Sequence, residues 1–278
     1  MSEVQDISVA AGKVPEGYDS ADIGGTILVA RRADFDAARR ALAAGTLYEY
    51  AAGHADARSL AGRGVAYAAP LPNGERVVVR HNRHGGLLAP LTGDRFLPPT
   101  RAPGELATSL RLTGNMILTP EIVAYAVYRA GPLLRRSDVA SREIPDSSDL
   151  AAVLVRGEAA ERRAALHAVA ILVADLSACG ARHHDLNVKN VLLARSVTPS
   201  DRNSMAAYVL DVDRVEFGQP GDSRITERNL DRLMRSARKW RELHGARADE
   251  RELAWVAATV RRLVSSRPSG EFLARTRT

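Results

Sequence analysis

The chain has 278 residues, 45% of them hydrophobic and 26% charged, an ordinary globular composition with ample apolar material for a sizeable core. No stretch approaches the roughly 20 consecutive apolar residues of a membrane span, and the polar start MSEVQDISVAAGKVPEG lacks the cationic lead and apolar middle of a secretion signal, so a cytoplasmic protein is expected. The net charge of +6 favours anionic partners, but the few aromatic residues are not interleaved with the cations, which argues against a nucleic-acid surface.

Residues 1–33 show weak apolar periodicity and are punctuated by Pro15, Gly24 and Gly25, which predicts an irregular lead. Asp34 to Gly45 then supplies a capping residue, alanine-rich helix formers and a terminal glycine, the pattern of a short helix. Beyond Leu60, two strand-like runs flank Pro72, Asn73 and Gly74, a hairpin signal, and the second run, Val77 to Arg80, is β-branched. PGELATSLRLTGN predicts a helix carrying Glu105, and strands are expected around Ile122–Tyr128 and Val139–Ile144.

The second half reads as helical. In ERRAALHAVAILVADLSACG, Leu166, Val169, Val173 and Leu176 recur at helical spacing, with Gly180 as the stop. Cys179, the single cysteine, cannot form an internal disulfide and is expected to be buried near that helix end. Later segments place Leu230, Leu233, Ala237 and Trp240 on one helical stripe, and Leu253, Val256 and Val260 on another with Asp249 as its cap. Strands followed by helices predict an α+β chain of two lobes, a sheet lobe with one helix over residues 34–144 and a helical lobe over 145–278.

The string HHDLNVKN, residues 183–190, resembles the catalytic loop of protein-kinase-like phosphotransferases, in which an asparagine follows an aspartate by five positions. That chemistry needs an aspartate to accept the proton of an attacking hydroxyl and an asparagine oxygen to hold magnesium. Asp185 and Asn190 occupy these positions, with His183 bracing the loop. YVLDVDR offers Asp211 at a strand end as a second metal ligand, with Asp213 where a flexible glycine stands in protein kinases. Upstream, Gly62, Arg63 and Gly64 suggest a loop over phosphates, and Arg80 ends the strand where such folds carry a phosphate-binding lysine. Glu105 is its expected helix partner, and Arg83 is the alternative cation.

Taken together, GRG at 62–64, VVVRHNRHGGL at 77–87, REIPDSSDL at 142–150, HHDLNVKNVLL at 183–193, LDVDR at 210–214 and NLDRLMRSARK at 229–239 resemble the Kdo/WaaP lipopolysaccharide kinase family, most of all its 3-deoxy-D-manno-octulosonic acid (Kdo) kinase branch. The resemblance spans about residues 60–240, with Val212 a departure from the expected DFD triplet. It implies a two-lobed protein-kinase-like fold, ATP and Mg2+ as cofactors, and a nucleotide-binding set of Gly62, Arg63, Gly64, Arg80, Glu105, Asn187 and Lys189. By the same resemblance Asp185 is the base, Asn190 and Asp211 hold the metal, and the acceptor is the 4-hydroxyl of Kdo on lipid A at the cytoplasmic face of the inner membrane. No Ala-Pro-Glu signature follows Asp211, which favours a sugar or lipid acceptor over a peptide. The basic helix around Arg232–Arg241 would rest on anionic headgroups or solvate a packed amphipathic helix. The alternatives are a phosphotransferase for another small hydroxylated molecule, such as an aminoglycoside, and a catalytically silent nucleotide-binding module.

Overall fold

The computed structural model describes residues 14–60, 65–82, 96–195 and 204–266. It divides into two compact units, residues 1–109 with 121–143, and residues 110–120 with 144–278.

The first unit is built on a seven-stranded antiparallel sheet in the order β1-β2-β6-β7-β5-β4-β3. Its strands are β1 Tyr18–Ile23, β2 Thr26–Arg31, β3 Arg58–Leu60, β4 Ala66–Pro70, β5 Arg76–His81, β6 Ile122–Arg129 and β7 Arg135–Arg142. The irregular lead expected over 1–33 is corrected by β1 and β2. Gly24 (φ +61) and Gly25 (φ +87) form their hairpin turn, and the Gly25 amide donates to Oδ1 of Asp22 at 2.7 Å. The alternation of β1 is weak in sequence because an edge strand buries little, and of its six residues only Tyr18 is fully buried. The Asn73-Gly74 signal holds: Gly74 has φ +88, and the Leu71 amide donates to the Glu75 carbonyl at 2.8 Å between β4 and β5.

Two short helices pack on this sheet, α1 Phe35–Ala41 and α2 Leu47–Gly53. α1 was legible; α2 was not, although Thr46 and Glu49 form a capping box. Its first amides are held by the sheet. The Leu47 amide donates to the Tyr128 hydroxyl at 2.8 Å and the Tyr48 amide to Oδ2 of Asp138 at 3.0 Å, while Oδ1 of the fully buried Asp138 meets Nδ1 of His81 at 2.5 Å. Burial and the neighbouring Asp138 carboxylate push the Tyr128 hydroxyl well above its ordinary range. The helix α3, Arg101–Gly114, carries Glu105 as predicted. Its end departs from the predicted lobe boundary: Leu112 and Ile117 are buried in the core of the second unit, which draws residues 110–120 away from the sheet unit.

The second unit contains α4 Leu150–Arg156, α5 Ala159–Ala178, α6 Ser223–His244 and α7 Glu250–Ser265. The α5 stripe is buried as predicted and lies in the same core as Leu230, Leu233, Leu253, Val256 and Val260. Gly180 ends that helix at φ +74, where a Cβ would stand 2.5 Å from the Gly218 carbonyl oxygen, so the site requires glycine. Cys179 is buried beside it, and burial pushes its thiol up to about 11, which leaves it unreactive at neutral pH. Short strands interrupt the helices: β8 Ser148–Asp149, β9 Ala181–His183, β10 Val191–Arg195, β11 Met205–Val209 and β12 Val215–Phe217. They form two small antiparallel sheets, β11-β10-β8 and β12-β9.

Candidate active site

The chain leaves β9 at His183 and enters β10 at Val191, so the predicted loop residues occupy the turn between two strands. Asn187 shapes that turn. Its Oδ1 accepts from the amides of Lys189 (2.8 Å) and Asn190 (3.2 Å), and its Nδ2 donates to the Asp185 carbonyl at 3.0 Å. Asn190 donates its Nδ2 to the same carbonyl at 2.9 Å, which leaves Oδ1 as its side-chain acceptor. Lys189 is drawn aside: its Nζ lies 2.6 Å from Oδ2 of Asp149, and Oδ1 of that residue caps α4 by accepting from the Ala152 amide at 2.8 Å.

His183 ties this loop to Asp211. Its Nδ1 accepts from the Asp185 amide at 3.1 Å, and its Nε2 lies 2.9 Å from the Leu210 carbonyl oxygen. A neutral ring protonated on Nε2 satisfies both contacts. Burial holds the imidazole below its ordinary 6.5, which keeps it in that form. The Leu210 amide donates to the Asn190 carbonyl at 2.9 Å, so both ends of the 183–190 loop are anchored to the residue before Asp211. The chain then turns sharply, with Asp211 at φ 54 and ψ 48. Left-handed backbone at a non-glycine residue is unfavourable, and retaining it here aims an exposed carboxylate at the end of the strand pair. From there β12 returns to β9, pairing Val215 with His183.

A third set of contacts comes from α6 and was missed in the sequence. Asn229, fully buried, accepts from the His183 amide at 3.0 Å and donates to the Ala181 carbonyl at 2.9 Å. One turn on, Arg232 donates from Nη2 to Oδ1 of Asp185 at 2.5 Å. A further turn on, the Ser236 hydroxyl oxygen accepts from the Val188 amide at 3.2 Å. These residues stand at i, i+3 and i+7 of one helix face, beside the buried stripe of Leu230, Leu233 and Ala237. Arg232 thus pairs with the 183–190 loop while staying partly exposed, whereas the sequence reading gave it to a headgroup-facing or solvated surface.

In the first unit, Arg80 on β5 makes a close ion pair through Nη2 with Oε1 of Glu105 on α3. Glu105 is buried and Arg80 is partly open. The pairing foreseen between strand and helix is therefore present. Gly62, Arg63, Gly64 and the alternative cation Arg83 lie outside the described residues. Among the described residues no cluster of three or more His, Cys, Asp or Glu side chains is arranged for a metal ion. Magnesium does not need one, since it takes one or two protein oxygens with water and phosphate filling its octahedron. The Asn190 amide oxygen and the Asp211 carboxylate are donors of that kind.

Residues 54–265 match the family model described as Lipopolysaccharide kinase (Kdo/WaaP) family. The chain is similar to several proteins named 3-deoxy-D-manno-octulosonic acid kinase, among them the following three. That of Vibrio parahaemolyticus is 28% identical over 185 residues, covering 65% of this chain and 72% of that protein. The Vibrio vulnificus protein is 31% identical over 190 residues, covering 66% and 73%. The protein of Photobacterium damsela subsp. piscicida is 26% identical over 209 residues, covering 73% and 81%. Among solved structures, a chain described as WaaP in complex with acyl carrier protein aligns with a TM-score of 0.48 and 19% identity, covering 78% of this chain and 81% of that one.

Proposed function

The chain belongs to the lipopolysaccharide kinase (Kdo/WaaP) family and is a phosphotransferase with a protein-kinase-like fold, and from that premise we propose that it transfers the γ-phosphoryl group of ATP to the 4-hydroxyl of Kdo on lipid A. The observation that carries the mechanism is the His183 bridge, which joins the backbone of Asp185 to the residue preceding Asp211. It supports a single locus built from Asp185, Asn190 and Asp211.

In this reading the acceptor hydroxyl donates to the Asp185 carboxylate, which takes its proton as the oxygen attacks the γ-phosphorus and the bond to ADP breaks. Asn190 and Asp211 hold magnesium, which when bound neutralises charge on the phosphates. Arg80, paired with Glu105, and the segment 62–64 are the further phosphate contacts that the family resemblance implies. Asn187 and Lys189 act mainly by holding the loop, through the amide and ion-pair contacts they already make.

No helix among the described residues is long and apolar enough to cross a membrane. Peripheral binding to the cytoplasmic face of the inner membrane would bring the enzyme to a lipid-borne acceptor. The deciding assay incubates the purified chain with labelled ATP, Mg2+ and Kdo-lipid A and looks for a labelled lipid. Transfer to an aminoglycoside or a protein, with none to the lipid, overturns the acceptor. A thermal shift with ATP alone and with ATP plus Mg2+, but no transfer to any acceptor, would indicate a silent module.

A further inference from the structure

Away from the catalytic loop, α5 and α7 border an open pocket of about 620 Å³ within the second unit. Leu166 and Trp255 give it apolar walls, and the rings of His167 and Trp255 stand 6.3 Å apart. Trp255 is 45% exposed, a large indole left partly in water, and Ile171, one turn beyond His167 on α5, is 38% exposed. Arg163 and Arg251 also line the pocket. Arg163 donates only to the Ala159 carbonyl of its own helix (3.4 Å), and among the described residues neither arginine makes an ion pair. Glu252, the one acidic lining residue, is engaged in the α7 capping box, where it accepts from the Asp249 amide at 3.1 Å.

Several other arginines of α6 and α7 are paired, unlike these two. Arg238 and Arg241 share Glu250, and Arg261 pairs with Glu227. Two arginines free of ion pairs, beside an exposed indole and aliphatic walls, match the boundary between headgroups and acyl chains, where tryptophan sits at the polar edge and arginines meet lipid phosphates. We propose that the α5–α7 face is a docking surface for an anionic lipid bilayer, with headgroup phosphates at Arg163 and Arg251 and Trp255 inserted at the acyl boundary. The proposal rests on the lipid-borne acceptor only for its purpose; its observations are independent of the catalytic loop.

The test is co-sedimentation of the full chain with vesicles of phosphatidylcholine alone and of phosphatidylcholine mixed with phosphatidylglycerol. The wild type should prefer the anionic vesicles, with a blue-shifted tryptophan emission that Trp255→Phe removes. Arg163→Ala with Arg251→Ala should weaken partitioning roughly thirtyfold, from about 1 kcal/mol for each arginine near the surface. Lysine at both positions should restore it, which separates lost charge from lost folding. A control, Arg32→Ala with Arg39→Ala, removes the same charge from the first unit. Equal loss in that control, no preference for anionic vesicles, or capture of an acidic soluble protein in place of vesicles overturns the surface. Transfer to a detergent-dispersed acceptor is scored beside it: transfer without vesicle binding overturns this surface alone, and vesicle binding without transfer overturns the enzymatic reading alone.

Discussion

Arg232 donates to Oδ1 of Asp185 at 2.5 Å from a helix that begins well beyond the loop carrying Asp185. The arginine orients the carboxylate through one of its oxygens, so it is a positioning residue for the proposed base. A hydrogen bond to a charged group is worth about 1.5–3 kcal/mol. Arg232→Ala should lower kcat by roughly tenfold to a hundredfold in steady-state assays with little change in the KM for ATP. The melting temperature should hardly move, because the pair is partly exposed. A lysine there should restore part of kcat, having the charge but a different donor geometry.

Asp185→Asn keeps the size of the side chain and removes its ability to take a proton. Turnover should fall by about 10²–10⁴-fold, while nucleotide affinity, measured by calorimetry, stays near wild type. Near-wild-type turnover on the true acceptor would remove Asp185 from the role of base.

Asn229 makes two backbone contacts with β9 in a fully buried position. Asn229→Ala leaves the His183 amide and the Ala181 carbonyl without that partner, each costing about 1–3 kcal/mol. Denaturant unfolding should show the second unit destabilised by roughly 2–4 kcal/mol, in contrast to Arg232→Ala. A loss below about 0.5 kcal/mol would mean that β9 is held by other contacts.

Glu105 and Arg80 pair within the first unit, which predicts a phenotype separate from the catalytic loop. Glu105→Gln removes the charge that holds the arginine and should raise the KM for ATP about tenfold with the KM for the acceptor unchanged. An effect on the acceptor KM alone would contradict a phosphate-side role.

The turn of residues 183–190 was legible because it is made by contacts local in sequence, such as those of Asn187 with the Asp185 carbonyl and the Lys189 amide. The helices were legible where burial imposed a stripe, as with Leu166, Val169, Val173 and Leu176. β1 was not, since an edge strand buries little and so carries little alternation. Arg232 was invisible for another reason. A charged residue on an amphipathic helix looks the same whether it faces water or a buried loop, and only the tertiary contact separates the two. For Lys189 the contact with Asp149 spans 40 residues, beyond any local pattern.

His183 predicts a pH dependence of stability that can be assigned to one residue. Burial lowers its pKa in the folded chain below the ordinary 6.5, while its contacts with the Asp185 amide and the Leu210 carbonyl need the neutral ring. Below about pH 6.5 the unfolded chain takes up a proton that the folded chain resists, so the unfolded state is favoured as pH falls. The contribution is present in full above that pH and is lost progressively from about 6.5 down to the folded pKa. Wild-type melting temperatures measured from pH 8 to 5 should therefore decline through this window. In His183→Gln, whose amide does not titrate there, the decline should be shallower although the protein is less stable at pH 8. Parallel curves for the two proteins would mean that His183 is not protonated differently in the folded and unfolded chains, and the neutral bridge between Asp185 and Leu210 would have to be abandoned.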